Sequence, residues 1–209
     1  MIFLTRFQQG MQASQQLNFL GPLALRLYLA PVFWVAGMNK LQDMDSVIQW
    51  FGNEDWGLGL PFPLMLAWLA TLTEIIGAVL LVVGLAVRWV TLPLMATMLV
   101  AIFMVHWPNG WQAVADPLSP FASADVEEVM GRLDRAKSIL QEHGHYAWLT
   151  ERGGFVISNN GIEWATTYFI MCLALFFTGA GRWVSLDHYL VLFAARRWPQ
   201  ASPCHENRI

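Results

Sequence analysis

Four stretches of the chain are apolar almost without interruption, and the polar residues gather between them. They are FLGPLALRLYLAPVFWVAGM (residues 19–38), LMLAWLATLTEIIGAVLLVVGLAV (64–87), VTLPLMATMLVAIFMVH (90–106) and IEWATTYFIMCLALFFTGAG (162–181). A helix needs about 20 mostly apolar residues to cross a bilayer, so the pattern predicts four transmembrane helices. Only Arg88 and Trp89 separate the second from the third, which predicts a tight hairpin there.

The connections carry a different pattern. Between the first two blocks, Gln42 to Pro63 places Trp50, Phe51, Trp56, Leu58 and Leu60 among acids and glycines, as in a loop packed on the mouth of a bundle. Within 124–144, Val126, Val129, Met130, Leu133, Ala136 and Leu140 recur at helical spacing. Asp125 offers an N-cap with Glu128 three residues on, and Gly144 offers a stop. This predicts a helix outside the bilayer, in an insert spanning 108–160. Residues 185–198, with Trp198 and two arginines, suit a helix lying on the membrane surface. The predicted fold class is therefore all-α: an integral-membrane four-helix bundle over 19–190 with an extramembrane helical insert between spans three and four. An amphipathic segment, 1–18, precedes it and a tail, 191–209, follows.

Composition strengthens the membrane reading. Of 209 residues, 56% are hydrophobic and 13% charged, against about a quarter charged in an average soluble domain. The eleven Trp suit an interface where the ring is buried and its N–H stays wet. The net charge of −3 without a basic run argues against a nucleic-acid partner. MIFLTRFQQGMQASQQ lacks the apolar core and small-residue cleavage site of a signal peptide, so the first span is expected to direct insertion. Arg6, Arg88, Arg182, Arg196 and Arg197 fall on one side of the spans, and Lys40 and Arg152 on the other. The positive-inside rule then predicts that both termini are cytoplasmic.

Ionisable residues inside the spans carry the chemistry. Arg26 lies in the first span and Glu74 in the second, where a lone charge costs about 2.5–3.5 kcal/mol. Counted inward from Lys40 and Phe62, both sit roughly 20 Å deep, so the expectation is an Arg26–Glu74 ion pair. Such a pair either locks two helices together or marks a proton, ion or quinone site. A second group, Lys40, His106 and Glu163, stands at span ends on the outer face. It offers a base, an imidazole and an acid for proton exchange with a quinone head or small substrate; simple snorkelling to water is the competing account.

Other features read as packing. Gly37, Gly77, Gly84, Gly179 and Gly181 permit close helix approach, Met95, Met98, Met104 and Met171 suit core or lipid contact, and Cys172 is expected as a small buried residue. Cys204 has no Cys-x-x-Cys partner, and His143 and His145 lack further nearby ligands, so no metal site is expected. No dinucleotide fingerprint, Walker loop or iron–sulfur cysteine cluster occurs.

The order of these residues resembles the DoxX family of small four-helix bacterial membrane proteins. The resemblance runs through Arg26, AGMNKL with Gly37, Lys40 and Leu41, then Leu60–Pro61 and TEIIGAVLLVVGLAVR with Glu74, Gly77, Gly84 and Arg88. It continues at His106, Gly110 and Glu163, and ends at GAGRWVSLD from Gly179 to Asp187. The segment from Asp116 to Asn160 is longer than in minimal members and is similar to a subgroup encoded beside copper-linked modified peptides. The resemblance implies association with thiosulfate:quinone oxidoreduction and with membrane complexes handling thiols and oxidative stress, although family alone does not define activity.

Two functional readings follow. In one, Glu74, Arg26, Lys40, His106 and Glu163 position a quinone or sulfur substrate while a membrane or soluble redox protein supplies electrons. In the other, the same residues pack helices in a non-catalytic scaffold or accessory protein for a copper-peptide or stress-response system, and the long insert docks the partner.

Overall fold

The computed structural model describes residues 17–197. The readings made on residues 1–16, Trp198, Cys204 and the end of the tail lie outside the described residues. Every regular element described is helical, apart from an isolated antiparallel bridge between Val114 and Ser158. The helices are α1 (Leu20–Gln42), α2 (Met44–Gly52), α3 (Pro63–Val83), α4 (Val87–Val100), α5 (Val126–His143), α6 (Tyr146–Leu149), α7 (Glu163–Thr178) and α8 (Leu186–Arg197). A π-helical segment, Ala101–His106, and a 3₁₀ turn, Trp107–Asn109, prolong α4.

Three helical stretches are long and apolar enough to cross a membrane: Leu20–Gln42, Pro63–Val83 and Val87–Asn109. Their outward faces carry residues such as Leu69, Ile76, Val79 and Phe103, which would be costly in water and are at home in lipid. The chain is thus a multi-pass membrane protein. The fourth apolar block forms α7, whose 16 residues rise about 24 Å against a hydrocarbon core of about 30 Å.

The chain divides into two compact units. The described residues of Met1–Ala96 and Ile170–Ile209 form one, and Thr97–Phe169 form the other. In the first, α1 and α3 pack antiparallel along their lengths, around Leu29, Phe33, Ala67, Ala78 and Leu81. Gly37 makes the close approach possible: a Cβ there would lie 2.6 Å from Ile75 Cγ1 and 3.2 Å from Glu74 Cβ.

Two sequence expectations need correction here. The segment after Gln42 is not a plain loop, because Asp43 accepts a hydrogen bond from Ser46 N at 3.2 Å and caps a second helix, α2. This helix buries Phe51 and packs along the outer part of α3. The hairpin also turns at 84–86 rather than at Arg88 and Trp89, which already belong to α4. Gly84 takes φ +68° and Ala86 φ +51°, a left-handed stop that glycine adopts without Cβ strain.

In the second unit, the chain leaves α4 and re-enters α7 through a hydrogen-bonded neck. Asn159 N donates to Ala113 O, Gly161 N to Gln112 O, Ile162 N to Gly110 O and Glu163 N to Trp111 O, at 2.9–3.0 Å. Beyond it lies α5, with Val126 and Leu133 buried. Its predicted boundaries hold closely, but Asp125 makes no side-chain cap hydrogen bond, so the expected capping box is not formed.

Candidate polar sites within each unit

The register of α1 against α3 decides which charges meet. Gly37 is level with Glu74 and Ile75, so Lys40, one turn further on, hangs over Glu74. Its Nζ donates to both carboxylate oxygens, at 2.8 Å to Oε1 and 2.6 Å to Oε2. The Glu74 side chain retains 4% of its accessible surface and that of Lys40 26%. An ammonium has three N–H donors, so a third remains on the more open side of the pair.

The expected Arg26–Glu74 pair does not form. Arg26 lies eleven residues before Gly37, about 16 Å along the helix, and is level with the far end of α3. There it is almost fully buried and donates from Nη1 to Leu81 O at 3.2 Å and from Nη2 to Val184 O at 2.6 Å. Counting depth from Lys40 and Phe62 misplaced the register, because α2 extends alongside α3 beyond Lys40 and Phe62 is therefore not level with it.

Around Arg26 the hairpin end and the segment before α8 are tied together. A Cβ on Gly84 would fall on Arg26 Nη1, so glycine leaves the space that the guanidinium fills. Asp187 accepts from Ala86 N at 2.7 Å and Val87 N at 3.1 Å, satisfying free amides at the start of α4, while its own N–H donates to Gly84 O at 3.0 Å. Arg88 Nη2 donates to Phe177 O at 3.2 Å, and Ser185 Oγ to Gly181 O at 2.7 Å. The sequence offered Asp187 only as a family-like position, and Arg88 as the break of the hairpin and a span-end charge. Capping acids that act across a hundred residues leave no local signal.

His106 and Glu163 belong to the second unit and both serve the neck. His106 Nδ1 is 2.8 Å from Asn160 O, to which Asn109 Nδ2 also donates. Glu163 Oε2 accepts from Ala113 N at 2.9 Å. Lys40, grouped with them from sequence, belongs to the first unit, where its hydrogen bonds go to Glu74. Cys172 is fully buried with a free thiol. No group of three or more His, Cys, Asp or Glu side chains among the described residues could hold a metal ion.

Comparison with known proteins adds a family and a relative. The DoxX family model matches residues 21–107, which include Arg26, Lys40, Glu74, Gly84, Arg88 and His106. A Bacillus subtilis (strain 168) protein named "Putative oxidoreductase CatD" is 37% identical over 86 residues, 41% of this chain and 60% of the relative. The aligned part thus spans somewhat over half the length of that protein. No solved structure matches the chain.

Proposed function

The chain belongs to the DoxX family, and on that footing we propose that it is a redox-linked subunit of a bacterial inner membrane. In this reading α7 is a fourth crossing, both termini are cytoplasmic, and the Lys40–Glu74 pair receives a quinone or thiol substrate while a partner protein supplies the electrons.

The observation that carries this reading is the pair itself. Glu74 lies eleven residues inside α3, about 17 Å from its first turn, and its charge is balanced by a single ammonium. A neutral pair is tolerable in a low-dielectric setting where either charge alone is not. The remaining N–H of Lys40 can bind a carbonyl oxygen and hold the negative charge that develops there on reduction. Two electrons from the partner and two protons convert a quinone to the quinol, and Lys40, on the open side, can pass on one of those protons and be reprotonated from water. An apolar groove lined by Ala30, Pro31, Trp34, Ala78 and Val82 begins one helical turn from Glu74 along α3 and suits a lipid-like tail. The name of the Bacillus relative points in the same direction.

The scaffold reading keeps one observation: Arg26, His106 and Glu163 all hydrogen-bond to backbone of their own unit, as structural residues do. The test is to purify the full chain in mild detergent, extract it for bound quinone, and assay thiosulfate- or thiol-dependent quinone reduction in membranes, comparing wild type with Glu74→Gln. Quinone and turnover that disappear in a folded variant support the redox site. No quinone and no turnover in wild type would move the assignment to the scaffold.

A further inference from the structure

The second unit exposes large apolar side chains beyond the ends of its helices, and they are not scattered at random. Trp107 follows the π-helical end of the third span, and Trp164 stands in the first turn of α7; both are more than half exposed. The neck bonds from Ile162 N to Gly110 O and from Glu163 N to Trp111 O hold Trp111 at the same level. Phe121 packs its ring on Trp111, with centroids 5.6 Å apart. Between them the chain makes two successive turns, closed by Ser119 N to Asp116 O and Ala122 N to Ser119 O. Gln112 Nε2 fastens this segment to the neck through Asp116 O at 2.8 Å. At its tip Leu118 is 92% exposed.

We infer that the turn segment 116–122 dips into the lipid interface beside the spans, with Leu118 and Phe121 inserted at the level of Trp107, Trp111 and Trp164. Three physical points carry this. The segment is tethered to the neck, and within the same unit the neck joins two helix ends that expose apolar side chains, Phe103 and Trp107 on one and Trp164 on the other. The exposed side chains are those that favour the headgroup–acyl boundary, aromatic rings with a leucine at the tip. The only charge within 116–122 is Asp116, whose Oδ1 accepts from Leu118 N at 2.9 Å and so is turned back toward the chain. There is no Lys or Arg anywhere from 107 to 131. Attachment is therefore hydrophobic, indifferent to salt and without preference for anionic lipid, unlike a basic surface helix. The inference is independent of the redox reading.

The test uses the full chain with Cys204→Ser and Leu118→Cys, the new thiol carrying an environment-sensitive fluorophore, reconstituted into phosphatidylcholine vesicles. Leu118 makes almost no packing contact, so labelling leaves the fold intact, and Cys172 is buried. A matched label at exposed Glu142 on α5 is the control. The expected result is a blue-shifted emission at position 118, quenched at least threefold more than at 142 by lipids brominated near the headgroup end of the acyl chain. That quenching should be unchanged between low and high salt and on adding phosphatidylglycerol. A label at 118 that is quenched no more than at 142 overturns the inference. So does a blue-shifted label that brominated lipid fails to quench, since protein, from this chain or a second copy, then covers it.

Discussion

Removing the Lys40 ammonium while keeping Glu74 leaves a carboxylate with 4% of its side-chain surface exposed and, among the described residues, no other cation in salt-bridge contact. Breaking a buried pair from one side costs about 3–5 kcal/mol. Because Lys40 retains about a quarter of its exposure, the lower end applies, and Lys40→Met is expected to destabilise the folded chain by about 3 kcal/mol. Glu74→Leu, which strands the ammonium instead, should cost less, because the Lys40 side chain keeps about a quarter of its exposure and reaches water. The double variant removes both charges and keeps two apolar side chains of similar volume, so it should return to within about 1 kcal/mol of wild type. Unfolding of the four proteins in detergent, followed by circular dichroism, gives the interaction free energy directly. If the two single costs simply add, to within about 0.5 kcal/mol, Lys40 and Glu74 do not interact in solution and the α1–α3 register described above is wrong.

Gly84→Ala should cost at least about 2 kcal/mol, because a left-handed alanine is strained by about 1–2 kcal/mol and its Cβ also displaces Arg26. Gly131→Ala on α5, where a Cβ meets open space, should stabilise by up to about 1 kcal/mol; thermal melts that fail to separate the two would refute the packing account. Asp187→Ala strips the acceptor from Ala86 N and Val87 N, and a loss of about 1 kcal/mol with faster hydrogen exchange at those two amides is the expected outcome. Glu163→Ala should speed exchange at Ala113 N while leaving exchange within α3 unchanged.

How much of this was legible in the sequence depended on the range of each signal. The apolar blocks announced their helices because mean hydropathy is a property of a window, and Val126, Leu133 and Gly144 marked α5 because its period repeats over five turns. The nine residues of α2 were harder. A helix that short is marginal alone, and Asp43 with Phe51 and Gly52 gave its cap, buried face and end in a segment rich in loop-forming residues. Missing α2 had a further consequence, since it shifted the apparent level of Lys40 against α3 and assigned Glu74 to the wrong cation. The need of Glu74 for a partner was readable from cost alone; the identity of that partner depended on a register that Gly37 sets through contact. Asp187 and Arg88 were beyond reach for the same reason, because their bonds close only when the segment before α8 meets the hairpin end.

The neck has a consequence for how this chain can vary. Its hydrogen bonds bring the departing and returning strands of residues 110–115 and 157–163 side by side, so whatever lies between begins and ends at almost the same point. Closing a longer loop across a fixed gap costs only about 0.6 kcal/mol for each doubling of its length. The neck therefore works as a socket: the intervening segment can grow, shrink or be exchanged for a foreign domain with little effect on the two helix ends that the neck joins, which makes it the natural place to graft a reporter or a binding module onto this membrane protein.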